Sequence, residues 1–184
     1  MKQLASGQTS LRISTNLYDW LGNGIYFWEN NQQRALEFAG ELKAKKSKSK
    51  INTPAVIGAV IDLGLCLDLM DAEYIALVKD SYTNLVQSCT TLGLEVPVNS
   101  QIGNSKDLLL RNLDRAVVQN LHNIREENGE RPFDSVRSAF VEGDELYPNA
   151  GFHEKNHIQL CIRNPNCIKG YFLPRKEDND WIMS

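Results

Sequence analysis

Long apolar runs are absent: no stretch of the 184 residues approaches the ~20 consecutive apolar residues of a membrane-spanning helix. The first residues also lack the charged-then-apolar profile of a signal peptide, so the expectation is a cytoplasmic protein that makes no membrane contact. Cysteine is sparse. Cys66, Cys89, Cys161 and Cys167 are scattered among apolar neighbours without metal-type pairing, which points to buried free thiols. Cys161 and Cys167 fall on what read as adjacent strands, yet a disulfide is not expected in a reducing compartment. A P-loop, a dinucleotide-binding glycine fingerprint, a nucleophile elbow, a zinc spacing and internal repeats are all missing. Excess positive charge is missing too: a net charge of −3 argues against capture of nucleic acid by the surface as a whole.

What is present is enough apolar material, 42% of the chain, for one well-buried core, so residues 1–184 read as one domain with a charged tail over 175–184. The most informative segment is Leu21-Gly22-Asn23-Gly24-Ile25-Tyr26-Phe27-Trp28-Glu29. Two glycines flanking one residue permit a tight turn and a close backbone approach to a ligand, and Ile-Tyr-Phe-Trp favours a strand. Such a segment either presents an aromatic face to a planar ligand or is a hairpin leading into a core strand. Leu11-Arg12-Ile13 reads as a short strand upstream of it. Downstream, Asn30 or Asn31 caps a helix that carries Ala35, Leu36, Phe38, Ala39 and Leu42 on one face.

Lys43, Lys45, Lys46, Lys48 and Lys50 follow, either as a solvated helix C-terminus or as a contact for phosphate. Ala55 to Leu63 is a nearly continuous apolar run, expected as a central strand buried on both faces. Asp71 caps a long helix ending at Gly93, residues 94 to 105 read as a loop, and a further helix runs from about Asp107 to Glu127. Near its end His122 reads as structural or surface-exposed. Strands are expected over Phe133–Glu142, with Ser135 to Val141 at its centre, Ile158–Ile162 and Cys167–Leu173, the last two joined by a turn at Asn164-Pro165-Asn166.

Residues 10 to 39, in the order short strand, loop, glycine turn, aromatic strand, capped helix, resemble the ADP-ribosyltransferase superfamily, in particular its poly(ADP-ribose) polymerase-like branch. The chain also resembles uncharacterised bacterial proteins that share a Tyr-Asp-Trp-Leu-Gly-x-Gly-Ile-Tyr-Phe-Trp-Glu core, here Tyr18 to Glu29. The resemblance implies an α+β fold of two packed, mainly antiparallel sheets flanked by helices, and NAD as substrate with no metal. It places Ser14, Gly22, Gly24, Ile25, Tyr26 and Phe38 against NAD, with Tyr26 stacked on the nicotinamide ring. The serine that the branch offers to the amide falls on Ala35. Phe38, where the branch has a second aromatic, also fits as a core residue of an amphipathic helix.

His153-Glu154-Lys155-Asn156-His157-Ile158-Gln159 leads into the strand Leu160-Cys161-Ile162. A spacing of four from one histidine to the next on an irregular loop fixes no metal geometry. The superfamily instead places its Glu/Gln-x-Glu motif here, which the resemblance lays on His157-Ile158-Gln159 as the catalytic pair His157 and Gln159. Gln159 is a departure. A glutamine can bond ribose hydroxyls but cannot offset the oxocarbenium-like charge that develops as nicotinamide leaves. Glu154 is the one carboxylate close enough in sequence to substitute. A second departure is the family's first motif, a His-Gly-Ser/Thr strand some way before Leu-Arg-Ile, for which no histidine precedes residue 120. The expectation is therefore an N-terminally incomplete domain without the first strand, or a pseudoenzyme. The activity implied is a glycosyltransferase-type transfer of single ADP-ribose units from NAD to a protein or nucleic-acid acceptor. The alternatives are an inactive binding module and a toxin or defence effector of the same fold.

Overall fold

The computed structural model describes residues 2–7, 9–44, 51–103 and 106–175. Lys45, Lys46, Lys48 and Lys50, and the tail from residue 176 with Trp181, lie outside the described residues. A short helix α1 (Lys2–Ala5) comes first, then β1 (Ile25–Trp28), α2 (Gln32–Ala44), β2 (Gly58–Ile61), β3 (Cys66–Asp68) and α3 (Ala72–Leu92). The chain continues through β4 (Asn99–Ser100), β5 (Leu110–Arg111), α4 (Asn112–Glu127), β6 (Ser135–Phe140), β7 (His157–Ile162) and β8 (Ile168–Phe172). The architecture is α+β. The main sheet has the order β1-β7-β6-β3, antiparallel except for the parallel pair β3 and β6.

Local chemistry explains the helix ends. The Asp71 carboxylate accepts the Glu73 N–H at 2.8 Å, and Gly93 closes α3 in the left-handed region at φ +66°. Asn31 caps α2 by accepting the Arg34 N–H at 3.0 Å. The Asn99 carboxamide accepts the N–H groups of Leu113 and Asp114 at 2.9 and 3.2 Å. That cap starts α4 at Asn112 rather than near Asp107, and residues 99–100, read above as loop, pair with Leu110–Arg111.

Period-two alternation gives the main sheet two apolar faces. On one, Cys161 of β7 and Val136 of β6 join Leu21, Leu67, Val118, Leu121 and Phe133 under α3 and α4. On the other, Leu160 and Ile162 of β7 join Ile25 and Cys167. Several expectations fail here. The run from Ala55 to Leu63 is not a central strand: only Gly58–Ile61 pairs, with β8 alone, and Val60 is 58% exposed. Apolar content does not fix strand position, and the buried centre belongs to β6 and β7. Residues Leu11 to Ile13 form no strand; only Ser14 bridges Gly24. β8 does not pair with β7, because a 3-10 turn at Pro165–Cys167 redirects the chain toward β2, and all four cysteines are free.

Gly24 sits where β1 meets β7, and a Cβ there would lie 2.4 Å from Cys161 Sγ and 2.9 Å from the Ile162 carbonyl oxygen. Gly40, inside α2, has open space around it. Gly24→Ala should destabilise the fold by about 1–3 kcal/mol, and Gly40→Ala should stabilise it by about 0.5–1 kcal/mol. Urea unfolding of both variants checks the opposite signs; equal effects would show that β1 does not depend on this contact.

Candidate functional site

Both turn glycines are required by the protein's own packing. Gly22 has φ +83°, and a Cβ on it would meet Gln119 Oε1 at 2.6 Å. That same oxygen accepts the Asn23 N–H at 3.0 Å, and Arg115 donates to the Asn23 carboxamide oxygen at 2.9 Å, so α4 holds the turn from one side. Tyr26 holds it from below: its hydroxyl donates to the Gly22 carbonyl at 2.7 Å and accepts the Leu21 N–H at 3.0 Å. Burial, with Cys161 and Asp19 nearby, raises the pKa of the Tyr26 phenol, which stays protonated. Ser14 exchanges both backbone hydrogen bonds with Gly24, at 2.8 and 3.1 Å. Ile25 is 4% exposed and packs with Leu160 and Ile162, on the sheet face opposite Tyr26.

The far end of β1 gathers the remaining candidates. Trp28 lies opposite Gln159, Ser138 flanks Gln159 on the other side, and Phe140 lies opposite His157. Alternation therefore puts Tyr26, Trp28, Gln159, His157, Ser138 and Phe140 on one face. α2 lays Phe38 on Trp28, with ring centroids 5.0 Å apart, and His157 stands between Trp28 at 6.4 Å and Phe140 at 5.7 Å. Phe38, His157 and Gln159 thus meet around Trp28, while Ser14, Gly22 and Gly24 sit at the opposite end of β1.

Charge accompanies these rings. The buried residue of α2 is Arg34, against the expectation of an apolar stripe, and Leu36 of that stripe is 39% exposed. The Arg34 guanidinium lies 6.0 Å from the Phe38 ring, 3.3 Å from Glu41 and 3.9 Å from the buried Glu142. Glu142 is also 3.8 Å from His157 Nδ1, and Lys155 bonds Glu41 at 3.0 Å. The carboxylate beside His157 is therefore Glu142, two residues past β6, and Glu154 is exposed. Burial raises the Glu142 pKa, Arg34 opposing it. Burial lowers the His157 pKa. His157 Nδ1 lies 2.6 Å from the Lys155 carbonyl, which can only accept, so Nδ1 carries the proton and neutral His157 keeps a lone pair on Nε2. His153 likewise donates from Nδ1 to the Gly143 carbonyl at 2.9 Å. Among the described residues no group of three or more His, Cys, Asp or Glu is placed to hold a metal ion, and no helix is long and apolar enough to cross a membrane.

Trp28, Arg34, Glu142 and Phe140 escaped the sequence reading. Trp28 alone carried a usable signal, since it stands two residues from Tyr26 on one strand and must share its face. No family model matches the chain, and no curated protein or solved structure matches it either.

His122 belongs to the core. It is fully buried against Phe133, both ring nitrogens lack a hydrogen-bond partner among the described residues, and burial, with Arg163 and Arg125 adding to it, pushes its pKa down to about 3. An unfolded histidine takes up its proton near pH 6.5, whereas folded His122 does so only near 3. The stabilisation is therefore complete above the unfolded value and is lost as pH falls from there toward 3. Each pH unit costs up to about 1.4 kcal/mol. Urea unfolding at pH 7 and pH 5 should show the wild type losing about 2 kcal/mol more than His122→Leu; equal losses would refute a neutral buried imidazole.

Proposed function

We propose that the chain is an ADP-ribosyltransferase-like domain of the polymerase-like branch, which transfers single ADP-ribose units from NAD to a protein or nucleic-acid acceptor and releases nicotinamide. The observation that carries the reading is the β1 and β7 register. It brings the Gly-x-Gly-Ile-Tyr-Phe strand beside the His157-Ile158-Gln159 strand entrance, so that Trp28 faces Gln159. Those two segments carry the resemblance, they are distant in sequence, and Phe38 reaches the same place from α2.

In this reading Tyr26 is a platform whose hydroxyl, tied to the turn, fixes the ring plane for nicotinamide. Phe38 and Trp28 bound the ring from the helix side. Gln159 hydrogen-bonds ribose hydroxyls and holds the sugar as the glycosidic bond breaks, and His157 stands beside it on the same face. A neutral amide leaves the developing positive charge unopposed at that position, so turnover is slow and transfer stops at one unit. One observation favours a second reading, a catalytically inactive module of the same fold that binds NAD or ADP-ribose. It is the same Gln159, flanked by Trp28 and Ser138 with no carboxylate in the register beside it.

Incubation with NAD labelled in its adenylate half, plus cell lysate, tests both. Labelled protein or nucleic acid with free nicotinamide is expected, and Gln159→Glu should speed nicotinamide release by about 100-fold by restoring the charge. Calorimetric binding of a non-hydrolysable NAD analogue without release from either protein would select the binding module. Absence of both binding and release would end the NAD reading.

A further inference from the structure

Ala55 to Ile61 has the composition of an interior strand and the position of an edge. The run is Ala-Val-Ile-Gly-Ala-Val-Ile, without a charge or a proline, yet none of its residues is buried and Val60 is 58% exposed. Among the described residues β2 pairs with β8 alone, and Ala55 to Ile57 precede it with no ladder of their own. Isolated two-stranded sheets are marginal, and natural proteins blunt an open edge with lysine, proline or a bulge. None of these guards β2. The register shift between Val60 and Ile61 puts its extra residue, Lys169, on β8 and leaves β2 regular.

Alternation divides the run between two faces. On one, Ile61 packs with Ile168 against the cluster of Ile25, Leu160 and Ile162. On the other, Val56, Gly58 and Val60 share a face with Gly170 and Phe172, which lie opposite Val60 and Gly58. All of these are apolar. Phe172 is 48% exposed and its ring lies across Gly58, where a Cβ would meet the ring at 2.3 Å. The run is also matched to itself. Turned antiparallel about Gly58, it sets Ala55 against Ile61, Val56 against Val60 and Ile57 against Ala59, with glycine against glycine on the axis. Small side chains thus meet large ones, and no charge meets a like charge. An uncharged edge favours neither an acidic nor a basic foreign strand, whereas a second copy supplies a matched residue at every position.

We infer that the open edge of β2 is a self-association surface, on which a second copy of this chain pairs antiparallel about Gly58 to give a continuous sheet in the order β8-β2-β2-β8. The glycines on the axis leave room for the Phe172 rings of both copies. Seven residues from each chain make a small contact, so the expected Kd is about 1–100 µM. This surface does not depend on the NAD reading.

Sedimentation equilibrium of the full chain from about 1 to 500 µM tests the inference. The apparent mass should rise from that of one chain toward that of two. Val60→Lys, at a position already exposed in the single chain, should weaken association by at least about tenfold with an unchanged circular dichroism spectrum. A second measurement reads the register. On mild oxidation a mixture of Val56→Cys and Val60→Cys chains should form a disulfide-linked dimer, whereas either variant alone and the wild type should not. A chain that stays monomeric throughout the concentration range would overturn the inference and leave the edge to a strand of a different protein. Association untouched by Val60→Lys, or linkage of either cysteine variant to itself as fast as to the other, overturns it too. The wild-type series and the cysteine pair stand even if Val60→Lys misfolds.

Discussion

The contact between Gly24 and Cys161 is the constraint on which the rest of this structure depends. With a hydrogen atom in place of Cβ, the backbone of Gly24 rests on the Cys161 thiol and the Ile162 carbonyl, and β1 locks onto β7 one residue later, with Ile25 opposite Ile162. A side chain has two faces to choose from on a strand, so that lock decides which residues meet. A one-residue slip would exchange Tyr26 and Trp28 for Ile25 and Phe27 on that face and would take Ile25 and Phe27 off Leu160 and Ile162. The Tyr26 hydroxyl strengthens the same lock, because it bonds the turn that Gly22 makes possible.

A second tie acts from the opposite face of the sheet. Arg137 of β6 reaches over β7 to Glu29, with Nε and Nη2 at 2.6 and 3.1 Å from its two carboxylate oxygens, and also meets Asp68 at 3.0 Å. A forked guanidinium matches a carboxylate plane far better than an ammonium would. The pairing with Glu29, opposed by burial, raises the Arg137 pKa, so the charge is permanent. Glu29 directly follows Trp28, so this ion pair fixes the end of β1 where Trp28, Gln159 and His157 gather. One face of the sheet end is thus charged and structural, and the other is aromatic and chemically equipped. The division follows from alternation along β1 and β6 alone.

Legibility in the sequence tracked how local each determinant is. Helix α3 was readable end to end because Asp71 and Gly93, its cap and its stop, adjoin it in sequence. β6 and β7 were readable as strands from their own composition, and the aromatic strand from its own four residues. Placement was another matter. Nothing within Ala55 to Leu63 says that its strand pairs with β8 outside the main sheet, since partners are chosen by the rest of the chain. Arg34 lies outside the apolar stripe read on its helix, and its burial depends on Glu142, a residue remote in sequence. Glu142 looked like the end of a strand, and His157 recruits it only because Phe140 and His157 share a register position. Gly22 and Gly24 were readable as necessary, but the close approach they permit is to Gln119 and Cys161, which no local pattern reveals.

The distribution of charge around His157 bears on how such a site could work with glutamine at residue 159. Arg34 and Lys155 bring two positive charges to Glu41 and Glu142, so the cluster is balanced as it stands. A carboxylate at residue 159 would add an unmatched negative charge beside Trp28, whereas a glutamine keeps the balance and still offers an acceptor and donors. A positively charged ring entering this place would meet aromatic faces and a balanced ion cluster, which favour holding it. A positive charge developing on the sugar would meet no new anion at residue 159, which favours reacting slowly. In the proposed reading Gln159 would trade rate for retention: a balanced cluster beside aromatic faces at the end of β1 would hold a positively charged ring better than it would promote the ring's departure.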